Sequence, residues 1–431
     1  MDHWVKGSPL VELTRLRGFR DLFGADARAM SLVEDRARAL ALRYNFSEIR
    51  IPLLERIQLF ARSTGETSDI VEKQMYAFTD RDEGETVVAL RPEGTPSVVR
   101  AYVEAGLDRS DPEQRFFYSG PVFRRERPQK GRFRQFHQIG VELIGVAQPL
   151  ADIEVIALGS RILDALGVAE RVELELNTLG NSESRAAYRE ALVAYFSARV
   201  TELSEDSRRR LERNPLRILD SKEETDQIIV RDAPPFEDYL NSASRHFFDQ
   251  VRAGLDRLGI AYRQNARLVR GLDYYTHTAF EFVTSDLGAQ GTVMGGGRYD
   301  GLVELMGGPA LPGVGWAAGI ERLAMLITEP PAPRRPVAVV PIGEAAEEAA
   351  LTLAEVLRNN GCPVDLGYSG NVARRMRRAN HVNARVAVLI GDDEIVRNVV
   401  ALRDLDSGEQ SEVAMDLSLS ELRARLRAFY P

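Results

Sequence analysis

Residues 123–138 read FRRERPQKGRFRQFHQ, and this stretch is the most informative part of the chain. It contains five arginines, one lysine and three phenylalanines, and strand-like apolar runs flank it at 114–122 and 139–145. Basic residues at this density repel one another unless they meet a polyanion. Flat rings beside guanidinium groups also suit a base whose phosphates are gripped nearby. The pattern favours a nucleotide-binding loop between two strands, although an isolated charge cluster would more often be a solvated loop.

Alternating apolar runs before the linker described below predict an antiparallel sheet. Helical spacing over 25–44 is followed by a strand that ends at Pro52. Several later runs are separated by too few residues for a crossover helix, which favours antiparallel pairing. These runs are 74–78, 86–90, 116–123, 139–144, 172–176, 278–283 and 313–318. The sequence becomes charged and helical between about 181 and 260, which predicts a helical insertion in an α+β domain.

Residues 329–336 read EPPAPRRP, and four prolines in eight residues exclude a helix interior and a central strand. They predict a linker between a first domain, residues 1–328, and a second domain, residues 337–431. Short apolar strands alternate with amphipathic helices after the linker. This alternation is typical of a small α/β domain with a mainly parallel sheet.

Composition limits the class of protein. The 431 residues exceed what one core usually supports. A net charge of −8 argues against non-specific coating of nucleic acid, although a local basic patch can still bind RNA. The chain has one cysteine, and no two of its five histidines lie at a metal-ligand spacing. No signal peptide or long apolar run is found. We therefore expect a cytoplasmic protein with no membrane partner and no metal ligands assigned in the protein.

Residues 90–96, LRPEGTP, follow a predicted strand with a turn. Taken alone, this pattern favours the start of a helix, with Thr95 as N-cap and Pro96 at the first helical position. Glu93 and Thr95 also form a hydrogen-bonding pair that suits an ammonium group. The residues leave both interpretations open.

Two further segments combine glycine with polar aromatic residues. Residues 269–276, VRGLDYYT, precede a strand, and alternation would turn Tyr274 and Tyr275 to opposite faces. Half-buried packing of the two rings competes there with a ligand site. Residues 294–301, MGGGRYDG, lack the spacing of a dinucleotide fold and the lysine of a P-loop. Their three glycines favour a flexible turn or, beside a ligand, close backbone contact.

Residues 313–323, GVGWAAGIERL, indicate a glycine-punctuated strand that passes into a helix. Arg322 would lie in the first helical turn, where the helix dipole disfavours a cation. An anion nearby would remove this conflict.

Together and in this order, these segments resemble the histidyl-tRNA synthetase family of class II aminoacyl-tRNA synthetases, over nearly the whole chain. Residues 25–52 are similar to the dimer-forming first motif of the class, 123–138 to the second and 313–323 to the third. Residues 268–275 and 296–300 resemble two signatures specific to the histidine family. The C-terminal domain is similar to that family's anticodon-binding domain. The resemblance implies an antiparallel sheet flanked by helices, with a helical insertion.

The resemblance also implies how ATP is bound. Arg124 would hold the α-phosphate, and Glu126 would accept a hydrogen bond from the adenine amino group. Phe136 and Arg322 would sandwich the adenine, while Arg132 would join Arg322 at the γ-phosphate. The arginine matching Arg270 contacts the α-phosphate and the substrate carboxylate in the family, so Arg270 and Arg124 are the implied catalytic residues.

The resemblance assigns the other substrates in the same way. The residues implied for histidine are Glu93, Thr95 and Gln138 at the ammonium group, Glu142 and Tyr275 at the imidazole, and Tyr274 and Tyr299 in the same pocket. Arg127, Lys130 and Arg134 would meet the acceptor end of the tRNA. The basic residues 374–378 would contact phosphate near the anticodon, or form a solvated helix face.

The implied enzyme is a ligase that works in two steps. Histidine and ATP would give histidyl-adenylate and pyrophosphate with Mg²⁺, and the adenylate would then acylate the 3′ end of tRNA-His. Alignment and electrostatics would drive both steps without a protein nucleophile. The resemblance further implies a homodimer.

Two other readings compete with this enzyme. A histidine-sensing regulatory subunit of ATP phosphoribosyltransferase shares the catalytic fold, but it lacks the anticodon-binding domain and has eroded ATP-binding positions. A synthetase for threonine, proline or glycine shares the three motifs. The RGLDYY signature at 270–275 and the absence of zinc ligands argue against these synthetases.

Overall fold

The computed structural model describes residues 14–64, 70–80, 84, 86–129, 131–219, 221, 223–268, 274–288, 291–415 and 420–427. The chain divides into two compact units, Met1–Pro331 and Ala332–Pro431. The division falls inside the residues predicted as a linker. None of the described helices combines the length and the apolar character that crossing a membrane requires.

The first unit mixes strands and helices along the chain. Its strands in the described residues are β1 (Ser47–Glu48), β2 (Leu54–Arg56), β3 (Tyr76–Asp80), β4 (Thr86–Leu90), β5 (Gln114–Phe123), β6 (Gln135–Ile144), β7 (Glu173–Thr178), β8 (Arg263–Gln264), β9 (Thr276–Val283), β10 (Thr292–Arg298) and β11 (Gly313–Gly319). Its α-helices there are α1 (Gly24–Arg43), α2 (Ile57–Thr64), α3 (Thr95–Glu104), α4 (Leu107–Ser110), α5 (Pro149–Ala165), α6 (Ser182–Ser197), α7 (Glu205–Arg213), α8 (Glu224–Arg231), α9 (Ser242–Arg257), α10 (Leu302–Leu305) and α11 (Ile320–Leu326).

An eight-stranded sheet forms the centre of this unit, in the order β1-β5-β6-β11-β10-β9-β7-β8. Every pairing from β5 to β7 is antiparallel, which confirms the predicted sheet, and only the two-residue edge strands β1 and β8 pair in parallel. The β5–β6 hairpin carries the basic stretch at its tip. A smaller antiparallel sheet has the order β2-β4-β3.

The two faces of the large sheet differ because strand side chains alternate. On β6, Ile139, Val141 and Leu143 enter the main apolar core with residues of α1, α5 and α9. The alternate β6 residues Gln138 and Glu142 belong to the opposite face, where the functional cleft lies. One face is thus the core, and the other is free to hold polar groups.

The glycine run at 295–297 lies within β10, in the interior of the sheet, so the prediction of a flexible turn is wrong. A Cβ on Gly296 would collide with the Gly315 carbonyl oxygen, and one on Gly297 would collide with the Thr278 carbonyl oxygen. The other interpretation, close backbone contact with a ligand, stays a prediction for Gly295, which lines the functional cleft. The glycines are needed for strand packing rather than for flexibility.

Helices α6 to α9 follow one another here, with short helical turns between them. Side chains between Tyr188 and Leu240 form an apolar core of their own, whereas α9 packs into the main core. A buried carboxylate, Asp226, joins three segments of this region. It accepts hydrogen bonds from the Ser204 backbone N–H at 2.8 Å and from the hydroxyls of Ser204, Ser207 and Ser221 at 2.6–2.7 Å. These bonds hold the pKa of Asp226 below its usual value, although burial alone would raise it.

The second unit contains one five-stranded sheet in the order β13-β12-β14-β15-β16. Its described elements are β12 (Val337–Ile342), α12 (Ala346–Asn359), β13 (Val364–Leu366), α13 (Val372–His381), β14 (Val386–Gly391), α14 (Asp392–Arg397), β15 (Val399–Asp404), β16 (Gln410–Ala414) and α15 (Ser420–Arg427). Strands β13, β12 and β14 are parallel, whereas β15 and β16 are antiparallel. The expected parallel sheet therefore covers three strands of five, because a short loop joins β15 to β16.

Candidate functional site

A cleft of about 230 Å³ opens on the polar face of the large sheet. Ten of the predicted site residues line it: Glu93, Thr95, Arg124, Glu126, Arg132, Phe136, Gln138, Tyr274, Tyr275 and Arg322. Glu142 and Tyr299 lie behind the wall and connect to it through Thr95. Arg270 and Lys130 fall outside the described residues. The fold thus gathers residues separated by more than 200 positions into one cavity.

Glu142 forms the buried end of the site. Its side chain is fully buried and accepts hydrogen bonds from the hydroxyls of Thr95 and Tyr299, each at 2.6 Å. Tyr118 OH lies 3.5 Å from the same carboxylate. Burial raises the pKa of Glu142 to about 8, against the opposing effect of the hydrogen bonds. Its hydrogen-bond partners in the described part of the chain are hydroxyl groups rather than cationic side chains, so a cationic or hydrogen-bond-donating ligand suits this end.

Glycines allow these groups to pack closely. A Cβ on Gly315, in β11, would collide with the Glu142 carboxylate. The Tyr118 ring occupies the space beside Gly94 and Gly140, where a Cβ would collide with the ring. Our reading of the sequence missed Tyr118. The available signal was spacing, because Tyr118 follows Phe116 by two residues in a predicted strand and so shares its face. Both residues are buried in one apolar cluster.

The residues predicted to bind the ammonium group of the ligand lie beside Glu142 and its hydroxyl partners. Tyr274 OH donates to Glu93 Oε2 at 3.1 Å. The side-chain oxygen of Gln138 is buried and has no hydrogen-bond partner among the described residues, although Gln138 lines the cleft. A buried acceptor without a partner carries a free-energy cost that a ligand N–H would remove. This end of the cleft therefore favours a small molecule with several donors.

Two local predictions at this end are wrong. Thr95 is the first residue of α3 and Gly94 is its N-cap, with no side-chain capping bond. The Thr95 hydroxyl donates to Glu142 instead. Tyr274 and Tyr275 do not face opposite sides, because β9 begins only at Thr276. Both line the cleft, with ring centroids 4.7 Å apart.

The other end of the cleft is cationic. Arg124, Arg132 and Arg322 line it together. Arg124 donates from Nε to the Pro92 carbonyl at 2.9 Å, and its guanidinium lies 5.5 Å from the centroid of the Phe136 ring. Burial lowers the pKa of Arg322, and the charges of Arg132 and Arg124 lower it further. Like charges brought together against this penalty indicate an anion site.

Two of these arginines are partly held by the protein. Arg132 Nε lies 2.6 Å from Glu126 Oε2, so the structure joins the residue predicted for the γ-phosphate to the one predicted for the adenine. Arg322 donates to the carbonyls of Thr292 at 2.6 Å and Gly131 at 3.2 Å. Arg322 lies in the first turn of α11, where it was expected. These contacts orient the guanidinium groups before any ligand arrives.

Arg91, to which the sequence analysis assigned no role, stabilises the backbone next to the cleft. The side chain is almost fully buried and donates to the carbonyls of Pro121 at 2.8 Å and Ile51 at 2.9 Å. It therefore ties β5 to the segment before β2, directly before the loop that carries Glu93. An arginine between a strand and a proline gives no separate signal in one sequence.

The residues predicted to contact tRNA differ in exposure. Arg127 is exposed at the hairpin tip. Arg134 is half-buried, and it donates to the carbonyl of Glu126 at 3.2 Å and that of Arg17 at 3.4 Å, which holds the loop. In the second unit, α13 buries Arg375, whereas Arg374 and Arg377 are exposed.

The site also offers a carboxylate near the cationic end. Glu281 lines the cleft and accepts from the Thr292 hydroxyl at 2.8 Å. In the described part of the chain, no group of three or more His, Cys, Asp or Glu residues is placed to hold a metal ion. Mg²⁺ usually binds through one or two carboxylates together with phosphates, so Glu281 fits a metal that arrives with a nucleotide.

Comparisons with known proteins identify the family to which the chain belongs. A family model described as histidyl-tRNA synthetase matches residues 18–323, and one described as anticodon binding domain matches residues 336–425. A curated relative from Rhodospirillum rubrum, named Histidine--tRNA ligase, is 55% identical over 417 residues, which cover 96% of this chain and 100% of the relative. A relative of the same name from Gluconacetobacter diazotrophicus is 54% identical, and the match covers 94% and 97% of the two chains.

A solved structure shares the fold over the whole length. Apo S. aureus histidyl-tRNA synthetase superposes with a TM-score of 0.80 at 34% identity, and the match covers 97% of this chain and 100% of that one. The likeness extends over both units, including the C-terminal one that the regulatory-subunit interpretation would lack.

Proposed function

Because the chain belongs to the histidyl-tRNA synthetase family, we propose that it activates histidine with ATP and transfers the histidine to the 3′ end of tRNA-His. The observation that carries the proposal is one continuous cleft with three arginines at one end. At the other end lies Thr95, which the buried Glu142 contacts from behind the cleft wall. Such a cleft suits a triphosphate and a small amine side by side.

Histidine would bind at the Glu142 end. Glu93, Thr95 and Gln138 would take its ammonium group, and Glu142 with Tyr275 would face the imidazole. Tyr274 and Tyr299 complete the pocket in this proposal. An amino acid of the same shape without ring nitrogens would leave Glu142 and its hydroxyl partners unsatisfied, which disfavours it strongly.

ATP would bind at the arginine end. Arg124 would hold the α-phosphate, Arg132 and Arg322 would reach the γ-phosphate, and Phe136 would stack on the adenine. Glu126 is proposed for the adenine amino group, although Arg132 now occupies one of its oxygens. Arg270, which lies outside the described residues, would join Arg124 in stabilising the charge that grows as the histidine carboxylate attacks the α-phosphorus.

Mg²⁺ belongs to the proposal as a partner of the ATP phosphates. Bound there, it would neutralise phosphate charge and favour departure of pyrophosphate. Glu281 is the cleft carboxylate that we assign to it, since it lines the same cavity as Arg322.

We further assign the acceptor end of the tRNA to Arg127, Lys130 and Arg134 in the hairpin loop, and the anticodon region to the second unit. Arg127 has the exposure that this contact needs, and the second unit matches an anticodon-binding family. Arg134 would contribute mainly by holding the loop in shape.

The proposal includes a homodimer in the cytoplasm. Residues 25–52 resemble the dimer motif, and Phe23, Leu42 and Leu53, which lie within or beside this range, are exposed. Large exposed apolar side chains favour burial by a second copy.

The test is amino-acid-dependent exchange of pyrophosphate into ATP, with all twenty amino acids and no tRNA. We expect exchange with histidine alone, followed by transfer to tRNA-His when it is added. Histidine binding without exchange would favour the regulatory-subunit interpretation instead. Exchange with another amino acid would leave the fold intact but overturn the assignment of the Glu142 pocket.

A further inference from the structure

His137 lies between two cleft residues but points away from the cleft. Its neighbours Phe136 and Gln138 both line the cavity, and they are assigned above to the adenine and to the histidine ammonium. Alternation along β6 turns the His137 side chain to the opposite face. His137 is therefore positioned to set the orientation of both neighbours without touching either substrate.

The backbone at His137 lies beyond the end of the adjacent strand. Strand β11 ends at Gly319, whose register partner on β6 is Gln138, one residue after His137. Regular ladder bonding is therefore incomplete at this residue.

Glu321 supplies the bonding that the ladder lacks. The His137 backbone N–H donates to Glu321 Oε2 at 2.9 Å and to Oε1 at 3.1 Å. Ring Nδ1 lies 2.9 Å from Oε1, which requires the tautomer that carries hydrogen on Nδ1. Glu321 is almost fully buried in the first turn of α11, where the helix dipole also favours a carboxylate.

The same glutamate precedes Arg322 in α11, and Arg322 lines the phosphate end of the cleft. One carboxylate thus connects the strand that carries Phe136 and Gln138 to the helix that carries Arg322. A shift of β6 relative to α11 would move the residues assigned to the adenine and the ammonium group, which share β6, away from the phosphate residue on α11. Displacements of about 1 Å are enough to slow a reaction that depends on alignment roughly 100-fold.

We propose that Glu321, acting through His137, is a positioning residue that fixes the ATP subsite relative to the histidine subsite. The inference rests on the proposed function, because it assumes that both substrates occupy this cleft. His137 does not line the cleft, and Glu321, which does, acts in this proposal through its bonds to His137 rather than through a substrate.

The experiment compares Glu321→Gln, His137→Ala and His137→Asn in histidine-dependent pyrophosphate exchange, with titration of active sites by adenylate formation. Asparagine places an N–H near the position of histidine Nδ1, whereas alanine removes it. We expect Glu321→Gln to raise the KM for ATP and the KM for histidine together and to slow exchange about 10- to 100-fold, since hydrogen bonds to a charged group are lost. His137→Ala should lose about 10-fold, and His137→Asn should recover most of that loss.

Matched variants separate positioning from other effects. Phe136→Leu should raise mainly the KM for ATP, and Gln138→Leu mainly the KM for histidine. His246→Ala, at an exposed histidine of α9, should behave as wild type.

Three results would overturn the inference. The first is an unchanged pair of KM values in Glu321→Gln, with any loss of rate matched by a loss of titratable sites. The second is equal loss in His137→Asn and His137→Ala. The third is a rise in only one KM. Wild-type protein that shows no histidine-dependent exchange would instead contradict the proposed function itself.

Discussion

Arg298 and Arg322 both sit at the large sheet, but the charges around them are opposite. Arg298 is fully buried and is paired with Asp152, with Nε–Oδ2 at 3.0 Å, while Nη1 donates to Asp300 at 3.2 Å. Burial alone would lower its pKa, yet Asp152 outweighs that effect and the pKa is raised. Arg322 shares its cleft with Arg124 and Arg132, and its pKa is lowered. A buried charge that is paired with an opposite charge of the protein stabilises the fold. Like charges that are gathered in a cleft indicate that the ligand carries the opposite charge.

Glu142 extends the comparison to a carboxylate. Asp152 is buried against an arginine, whereas Glu142 is buried against hydroxyl groups alone. The two ends of the cleft therefore share a property, because each holds charge or polarity that the protein does not neutralise. One end calls for an anion and the other for a donor or a cation.

Removing the matched arginine should have the largest effect. Arg298→Met leaves Asp152 buried without its partner, so the free energy of unfolding in urea should fall by about 3–5 kcal/mol. Combining it with Asp152→Leu should restore much of the loss. Arg161→Gln breaks the half-exposed pair with Asp164 and should change stability by about 0.5 kcal/mol or less. A similar small change for Arg298→Met would remove the distinction.

Removing an arginine of the cleft should damage activity rather than stability. Arg322→Met should slow histidine-dependent pyrophosphate exchange by about 10²- to 10³-fold, because a group that stabilises phosphate charge is lost. The free energy of unfolding should stay within about 1 kcal/mol of wild type, since relief of repulsion by Arg124 and Arg132 offsets two lost hydrogen bonds. Destabilisation as large as that of Arg298→Met would show that Arg322 belongs to the fold.

Glu142 should make the free energy of unfolding depend on pH. The folded pKa of Glu142, about 8, lies above its ordinary value of 4.5, so its contribution to stability is present at low pH and is lost as pH rises through the folded pKa. As pH rises from 5 to 8, the free energy of unfolding of wild type should therefore fall relative to that of Glu142→Gln. The steepest change is about 1.4 kcal/mol per pH unit. A difference that does not vary with pH would show that burial does not perturb this group.

Much of the large sheet could be predicted because its signals are local. The apolar runs of β4 and β5, the short spacing between strands and the prolines at 329–336 are each signals within a few residues. The predictions failed where a tertiary contact overrode a local preference. Thr95 gives up helix capping for Glu142, and the glycines of β10 serve close strand packing instead of a turn.

The site could be anticipated only through the resemblance of its motifs. The spacing of residues in the sequence did not predict the contact between Glu93 and Tyr274, which are 181 residues apart. Arg91 and Glu321 lie inside the segments 90–96 and 313–323, but the sequence assigned no role to them or to Tyr118. Each of the three acts through contacts with distant backbone or side chains. Their roles depend on the three-dimensional arrangement.

The glycines behind the Glu142 pocket have a consequence for drug resistance. Inhibitor resistance commonly arises when a small residue gains a side chain that crowds the compound. At Gly315 the added atom would strike Glu142, and at Gly94 or Gly140 it would strike Tyr118. Such a change would damage the proposed histidine pocket together with the site of the inhibitor. Few substitutions at these glycines would therefore exclude a compound that packs against them and still leave the enzyme active.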